Sequence, residues 1–251
     1  MQVEQLKSKF KKFKYFDIHC HAYEYSEKDI ENFIENKILI FSVSEDFESI
    51  QKNIELFNKF GLPIFAGIHP WNAHRISKID LKKLEEIIRD SECIGIGEIG
   101  LDKVFFSKTL EIQKEIFIEQ LKIAKEYDLP VNIHSLGTLK EVLELVIKFD
   151  IKNANFHWIK YSKYVEEIKD LGYFCSFNIN VKFEENHRKC LEILNLKNIL
   201  TESDGPYNYK NLEMKSSDVI KVIKEIAKFY NVSENKVLKQ IKKNTKKFIK
   251  L

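Results

Sequence analysis

The strongest constraint on the fold is a regular alternation of short apolar runs with longer segments of helical spacing. Strand-like runs cover 16–21, 37–43, 62–70, 93–98, 130–134, 155–158, 173–177 and 198–204. Helical patterns cover 27–36, 46–60, 80–90, 108–128, 138–149, 162–170, 184–195, 216–230 and 233–249. In 46–60, for instance, Phe47, Ile50, Ile54, Phe57 and Phe60 recur at helical spacing and Gly61 closes the segment. Asp80 is a plausible start for the helix over 80–90, and Ser233 caps the last. Short apolar strands joined by helical crossovers form parallel sheets covered by helices. Eight such units predict an α/β fold, a single (β/α)8 TIM barrel with an extra C-terminal helix. An open doubly wound sheet is the alternative, but no GxGxxG opens its first crossover.

Nothing divides the chain. Its 251 residues contain no Pro/Gly/Ser-rich linker or compositional break, so residues 1–251 read as one domain. An apolar share of 44% suffices for a large core, and no run of 18 or more uncharged apolar residues predicts a membrane span. The opening MQVEQLKSKFKKFK has no apolar signal-peptide region, which makes a cytoplasmic protein the default. A net charge of +3 neither demands nor excludes a polyanionic partner, and the lysine runs near both ends read as solvated faces. Cys20, Cys93, Cys175 and Cys190 are widely spaced without a CxxC pair, as expected of reduced thiols.

The chemistry-bearing residues fall where strands run out into helices, the rim on which such barrels carry their active sites. Asp17, His19 and His21 alternate along the first strand and so share a face. His69 follows the third strand, Glu98 ends the fourth, His134 the fifth, His157 the sixth and Asp204 the eighth. Five of the seven histidines thus meet on one rim, which scattered surface histidines would not do. Glu98, set among apolar residues, needs a partner, and a divalent cation provides one. His19, His21, His134 and His157 with Glu98 and Asp204 make a ligand set large enough for two metal ions. Asp17 either joins them or orients a histidine from behind.

The implied chemistry is two-metal hydrolysis, in which ions roughly 3.5–4 Å apart activate a water and steady the attacking and leaving oxygens. Glu98 is the natural bridge, and Asp204 the candidate for holding the water and taking its proton. His69 is a candidate substrate-binding residue, donating to a phosphate oxygen or leaving group, or else a structural histidine packed on Trp71. No GxSxG nucleophile motif is present.

These residues lie in segments that resemble the TatD family of metal-dependent hydrolases, in the amidohydrolase superfamily. Asp17-Ile18-His19-Cys20-His21 resembles its DxHxH opening and Gly67-Ile68-His69-Pro70 its GxHP segment. Ile96-Gly97-Glu98-Ile99-Gly100-Leu101-Asp102 resembles its GEIGLD signature, Pro130-Val131-Asn132-Ile133-His134 its PV-x-IH strand, and Glu202-Ser203-Asp204-Gly205-Pro206-Tyr207 its ETDxPY segment. Asn244 and Phe248 are similar to its closing NxxxxF pattern, one residue shorter here. The resemblance implies that His19, His21, Glu98 and Asp204 hold one ion and Glu98, His134 and His157 the other, the metal being zinc, manganese or magnesium. It also implies deoxyribonuclease activity of the 3′–5′ exonuclease type on single-stranded or frayed DNA ends, with Trp71, Trp158 and Tyr207 available to stack bases and the protein assumed monomeric. The chain departs from the family after two histidines, at Ser135-Leu136-Gly137-Thr138 and Trp158-Ile159-Lys160. Phosphate contacts would rest on Lys103, Lys160 or Lys182. Those departures keep two alternatives open, namely cleavage of another ester or amide (an aminoacyl-tRNA or a small molecule) and a non-catalytic metal-binding barrel.

Overall fold

The structure, a computed structural model, describes residues 3–251, with side chains from Leu6 onward. Met1 and Gln2, where the basic leader and the 1–251 assignment begin, lie outside the described residues. Helix α1 (Val3–Lys12) comes first, where the sequence suggests only a basic leader. Its apolar face, Leu6 and Phe10, is too short to register as a period, yet both residues are buried. Units follow as β1 (Tyr15–Cys20), α2 (Glu27–Glu35), β2 (Ile38–Ser42), α3 (Phe47–Phe60), β3 (Phe65–Ala66) and α4 (Lys78–Asp90). Then come β4 (Gly95–Asp102), α5 (Leu110–Glu126), β5 (Val131–Leu136), α6 (Leu139–Lys148), β6 (Ala154–Phe156), α7 (Tyr164–Asp170) and β7 (Phe174–Phe177). The chain finishes with α8 (Glu185–Arg188), α9 (Cys190–Ile193), β8 (Ile199–Thr201), a hairpin β9 (Asn208–Tyr209) and β10 (Leu212–Glu213), α10 (Val219–Phe229) and α11 (Glu234–Phe248).

This is an α/β TIM-like barrel, with the extra C-terminal helix in place, but its ladder is not continuous. β3 to β8 form a six-stranded parallel sheet, and β1 and β2 pair separately. Two seams close the ring. One is the bridge between Ser42 and Ile64. The other joins β8 to β1 partly through side chains, with Thr201 Oγ1 donating to Phe16 O at 2.6 Å and Ser203 N and Oγ donating to the two oxygens of Asp17 at 2.7 and 2.6 Å. Asp17 is therefore fully buried in the seam and hydrogen-bonds no histidine there. β3 is only two residues long: Pro63 ahead of it cannot donate to a ladder, and beyond it Ile68 N and O bond the Gln120 side chain while His69 N bonds Glu45 O. The helix read as 184–195 is broken into α8 and α9, and α4 starts two residues earlier than the predicted 80, at Lys78, because Ser77 rather than Asp80 is its N-cap.

Aromatic residues fill the end of the barrel where strands begin. Phe248 of α11 stacks on Phe65 at 5.8 Å and meets Phe174 edge-on at 5.9 Å, the first residues of β3 and β7. Phe10 stacks on Phe16 at 4.8 Å. With that end plugged by α1 and α11, the opposite end is left for the site. All four cysteines are free. No helix among the described residues is long and apolar enough to cross a membrane.

Candidate metal centre

Glu98 lies inside β4 rather than at its end, since that strand runs on to Asp102. It falls in a break of register between Ile96 and Ile99, where the β4–β5 pairing skips. There Glu98 N bonds across to Ser44 O at 2.8 Å, so the strand is re-aimed and the carboxylate turns into the barrel. Further along, Gly100 pairs with His134 at φ +143°, where a Cβ would stand 1.9 Å from His134 O. Only glycine permits the two strands this approach.

Around Glu98 the predicted residues converge. Its Oε2 lies 3.3 Å from His19 Nε2 and 3.7 Å from His21 Nε2. The same two nitrogens are each 3.4 Å from Asp204 Oδ1. Glu98 Oε1 faces the other way, 2.8 Å from His157 Nε2, 2.9 Å from His134 Nδ1 and 3.4 Å from His69 Nε2. All six predicted ligands and His69 are thus brought together. Two non-glycine residues at this site, Asp204 and Trp158, hold left-handed backbone at φ +55° and +40°. Such strain persists only where surrounding contacts over-determine it.

Hydrogen bonding orients the rings. Asn132 Nδ2 donates to Ile18 O at 2.8 Å, which makes its Oδ1 the acceptor facing His19 Nδ1 at 2.9 Å. His19 accordingly donates from Nδ1 and turns a lone pair at Nε2 toward Glu98 and Asp204. That nitrogen is buried with no hydrogen-bond partner among the described residues. His69 differs: its Nδ1 accepts from Trp71 N at 3.3 Å, leaving the ring proton on Nε2, toward Glu98. His69 packs edge-on to Trp71 at 5.0 Å while its Nε2 faces Glu98.

The electrostatics match a cation site. Burial alone would keep Glu98 protonated, but His157, His69 and His19 outweigh it and hold its carboxyl well below the usual range. Asp204 is likewise held low, against burial, by its contacts with His19 and His21. Burial, reinforced by His19, pushes His157 down to about 4, whereas contacts with Glu98 and Asp204 lift His19 and His21 and contacts with Asp102 and Glu98 lift His134 to about 9, all three against burial. Ligand atoms of His19, His21 and Glu98, of His19, His157 and Glu202, and of His69, Glu98 and His134 form groups each within 4.8 Å. Imidazole nitrogens with carboxylate oxygens suit a borderline divalent ion. The residues fit a metal.

Two carboxylates here went unassigned in the sequence. Asp102, within the GEIGLD-like segment, lies 3.1 Å from His134 Nε2. Glu202, two residues before Asp204, accepts from Trp158 N at 2.8 Å and contacts Ser176 Oγ, and burial lifts it to about 8. Position inside a quoted motif was the only signal for either. Above the centre opens a cavity of about 1180 Å³. Trp71, Phe105 and Phe106 line one side, and Trp158, Tyr207 and Tyr209 another. Lys103 and Lys160 also line it, whereas Lys182 does not and lies over the Phe183 ring. Lys160 is partly neutralised by Glu184 at 2.5 Å and sits over Trp158.

The sequence profile of the TatD related DNase family matches residues 16–250. The chain belongs to the TatD family. An uncharacterised metal-dependent hydrolase of Methanocaldococcus jannaschii is 30% identical over 249 residues, covering 94% of this chain and 97% of that protein. The human protein named Deoxyribonuclease TATDN3 is 28% identical over 213 residues, covering 76% of this chain and 77% of its own. Among solved structures, the TatD homologue YjjV of Escherichia coli superposes with a TM-score of 0.87 over 95% of this chain and 98% of that one, at 21% identity, which shows the fold. This TatD-family chain is therefore a metal-dependent hydrolase.

Proposed function

We propose that this protein is a deoxyribonuclease that removes nucleotides from single-stranded or frayed DNA ends, acting as a cytoplasmic monomer of one domain with two divalent ions. One observation carries the reading: the two oxygens of Glu98 are shared out, Oε2 to His19 and His21 and Oε1 to His134 and His157. His19, His21, Glu98 and Asp204 would hold one ion, and Glu98, His134 and His157 the other. When bound, such ions supply Lewis-acid stabilisation of charge on phosphoryl oxygens and a more acidic water. Glu98 keeps the two ligand groups at a fixed separation. Asp204, ionised at neutral pH, holds the attacking water by hydrogen bond and accepts its proton. His69, with its proton on Nε2, donates to a phosphate oxygen or to the departing oxygen.

The cavity supports an end-directed substrate. Glu24, Glu45 and Asp46 line it after β1 and β2, while Lys103, Lys140 at the start of α6, and Lys160 line it after β4, β5 and β6, across the ring, with Arg75 and Glu141 the charges of opposite sign near each. A phosphodiester chain is drawn to the lysine side and repelled by the acidic side, so it enters from one direction and stops at the centre. The aromatic walls offer faces on which bases stack. Family relatives named as deoxyribonucleases agree with this reading. The test is an assay on labelled single-stranded and duplex oligonucleotides with manganese, magnesium or zinc, using Glu98→Gln as control. Progressive shortening from the 3′ end, absent in the variant, is expected. Intact DNA alongside hydrolysis of an aminoacyl ester or an amide would replace this reading with the second one, which the acidic wall and the changed loops after His134 and His157 favour.

A further inference from the structure

Asp102 closes β4 with no exposed surface, and every group facing its carboxylate is a donor. Oδ1 accepts from the backbone N–H of Val104 at 2.8 Å and of Phe105 at 2.9 Å. Oδ2 accepts from Trp71 Nε1 at 2.7 Å and lies 3.1 Å from His134 Nε2. Its backbone is fixed as well, because Gln113 of α5 bonds both Asp102 N at 2.8 Å and Asp102 O at 3.1 Å. Indole and amide N–H groups cannot accept, so the carboxylate is committed to accepting throughout. His134 can meet it only by bringing a proton on Nε2. A neutral His134 then has its lone pair on Nδ1, the atom that faces Glu98 Oε1 and lies 3.2 Å from His157 Nε2.

We propose that Asp102 is the positioning residue of the centre: it selects the His134 tautomer whose Nδ1 lone pair points at Glu98, and fixes that ring in place. Asp102 does for His134 what Asn132 does for His19, from the opposite side of Glu98. Asp102 itself does not line the cavity above the centre. Histidine ligands whose second nitrogen is held by a carboxylate bind metal more tightly, and loss of such a partner costs about 10–100-fold in affinity. The inference rests on the metal-binding reading of the site.

The experiment is competition for zinc or manganese against a chromophoric chelator, in the unaltered protein and in Asp102→Ala, Trp71→Phe and Phe105→Pro. The last two remove one other donor each from the same carboxylate and leave His134 its partner. The weaker of two binding steps is expected to fall by about tenfold or more in Asp102→Ala and to change by less than about threefold in the other two. Equal loss in all three would make Asp102 a support for the loop and overturn the proposal, as would unchanged affinity in Asp102→Ala. Failure of the unaltered protein to bind either metal would instead remove the metal-binding reading. If Asp102→Ala does not fold, long-range proton–nitrogen NMR of the zinc-loaded natural protein decides: a proton on His134 Nε2 supports the assignment, and one on Nδ1 refutes it.

Discussion

His187 lies outside the metal centre and gives a quantitative test of the barrel wall. It is fully buried on α8, donates from Nδ1 to Ile159 O at 2.6 Å, and stacks on Phe177 at 4.7 Å. Burial pushes its pKa down to about 4, against the Ile159 carbonyl and with help from Lys160. The unfolded chain takes up this proton near the ordinary value of 6.5, which the folded chain refuses until about 4. More protons are bound by the unfolded state in that window, so stability falls as pH falls. At about 1.4 kcal/mol per pH unit, the His187 contribution lost between pH 7.5 and pH 5.0 is about 2 kcal/mol. Replacing it by phenylalanine keeps a stacked ring but strands the Ile159 carbonyl, a cost of about 1–3 kcal/mol at any pH. Urea unfolding of both proteins, in chelator, at the two pH values measures the difference. Because the other histidines titrate alike in both, the deficit of His187→Phe should shrink by about 2 kcal/mol at pH 5.0. A deficit that stays constant would mean that His187 is already charged, or hydrated, in the folded protein.

Three further outcomes follow from the same structure. Gly100→Ala forces a Cβ to 1.9 Å from His134 O at φ +143°, and should lower stability by roughly 3 kcal/mol or more, read as a fall in melting temperature of about 6–12 °C. A fall below about 2 °C would contradict the strand spacing. Phe248→Ala should cost about 3–5 kcal/mol in urea unfolding while leaving metal affinity unchanged, because Phe248 plugs the end away from the centre. Chelation should lower the melting temperature and readdition restore it, with about 2.7 kcal/mol of stabilisation at a hundredfold excess over the dissociation constant. No shift would count against the centre.

Much of this molecule is written locally, and some is not. Parallel strands buried on both faces produce runs such as 37–43, so the alternation was readable, and the rim rule then placed His19, His69, His134 and His157 without coordinates. Helix α1 escaped because, among the residues whose side chains are described, only Leu6 and Phe10 mark its buried face. The β9–β10 hairpin escaped because its strands are two residues each and turn through Lys210 and Asn211 at positive φ, with no alternation to read. The seams of the ring are invisible for a different reason. They depend on which strand finds which across the closed barrel, as Ser203 finds Asp17. Asp102 could be seen in its motif, but its work depends on four donors contributed by three separate segments.

The seam between β8 and β1 has a bearing on how the protein is made. Thr201 and Phe16 are separated by 185 positions, and the same seam sets Asp204 beside His19. A growing polypeptide leaving the ribosome displays His19, His21 and then Glu98 well before Asp204, the second carboxylate that faces both imidazoles, has been read. A chain interrupted before Asp204 therefore carries only one of the two carboxylates that face His19 and His21.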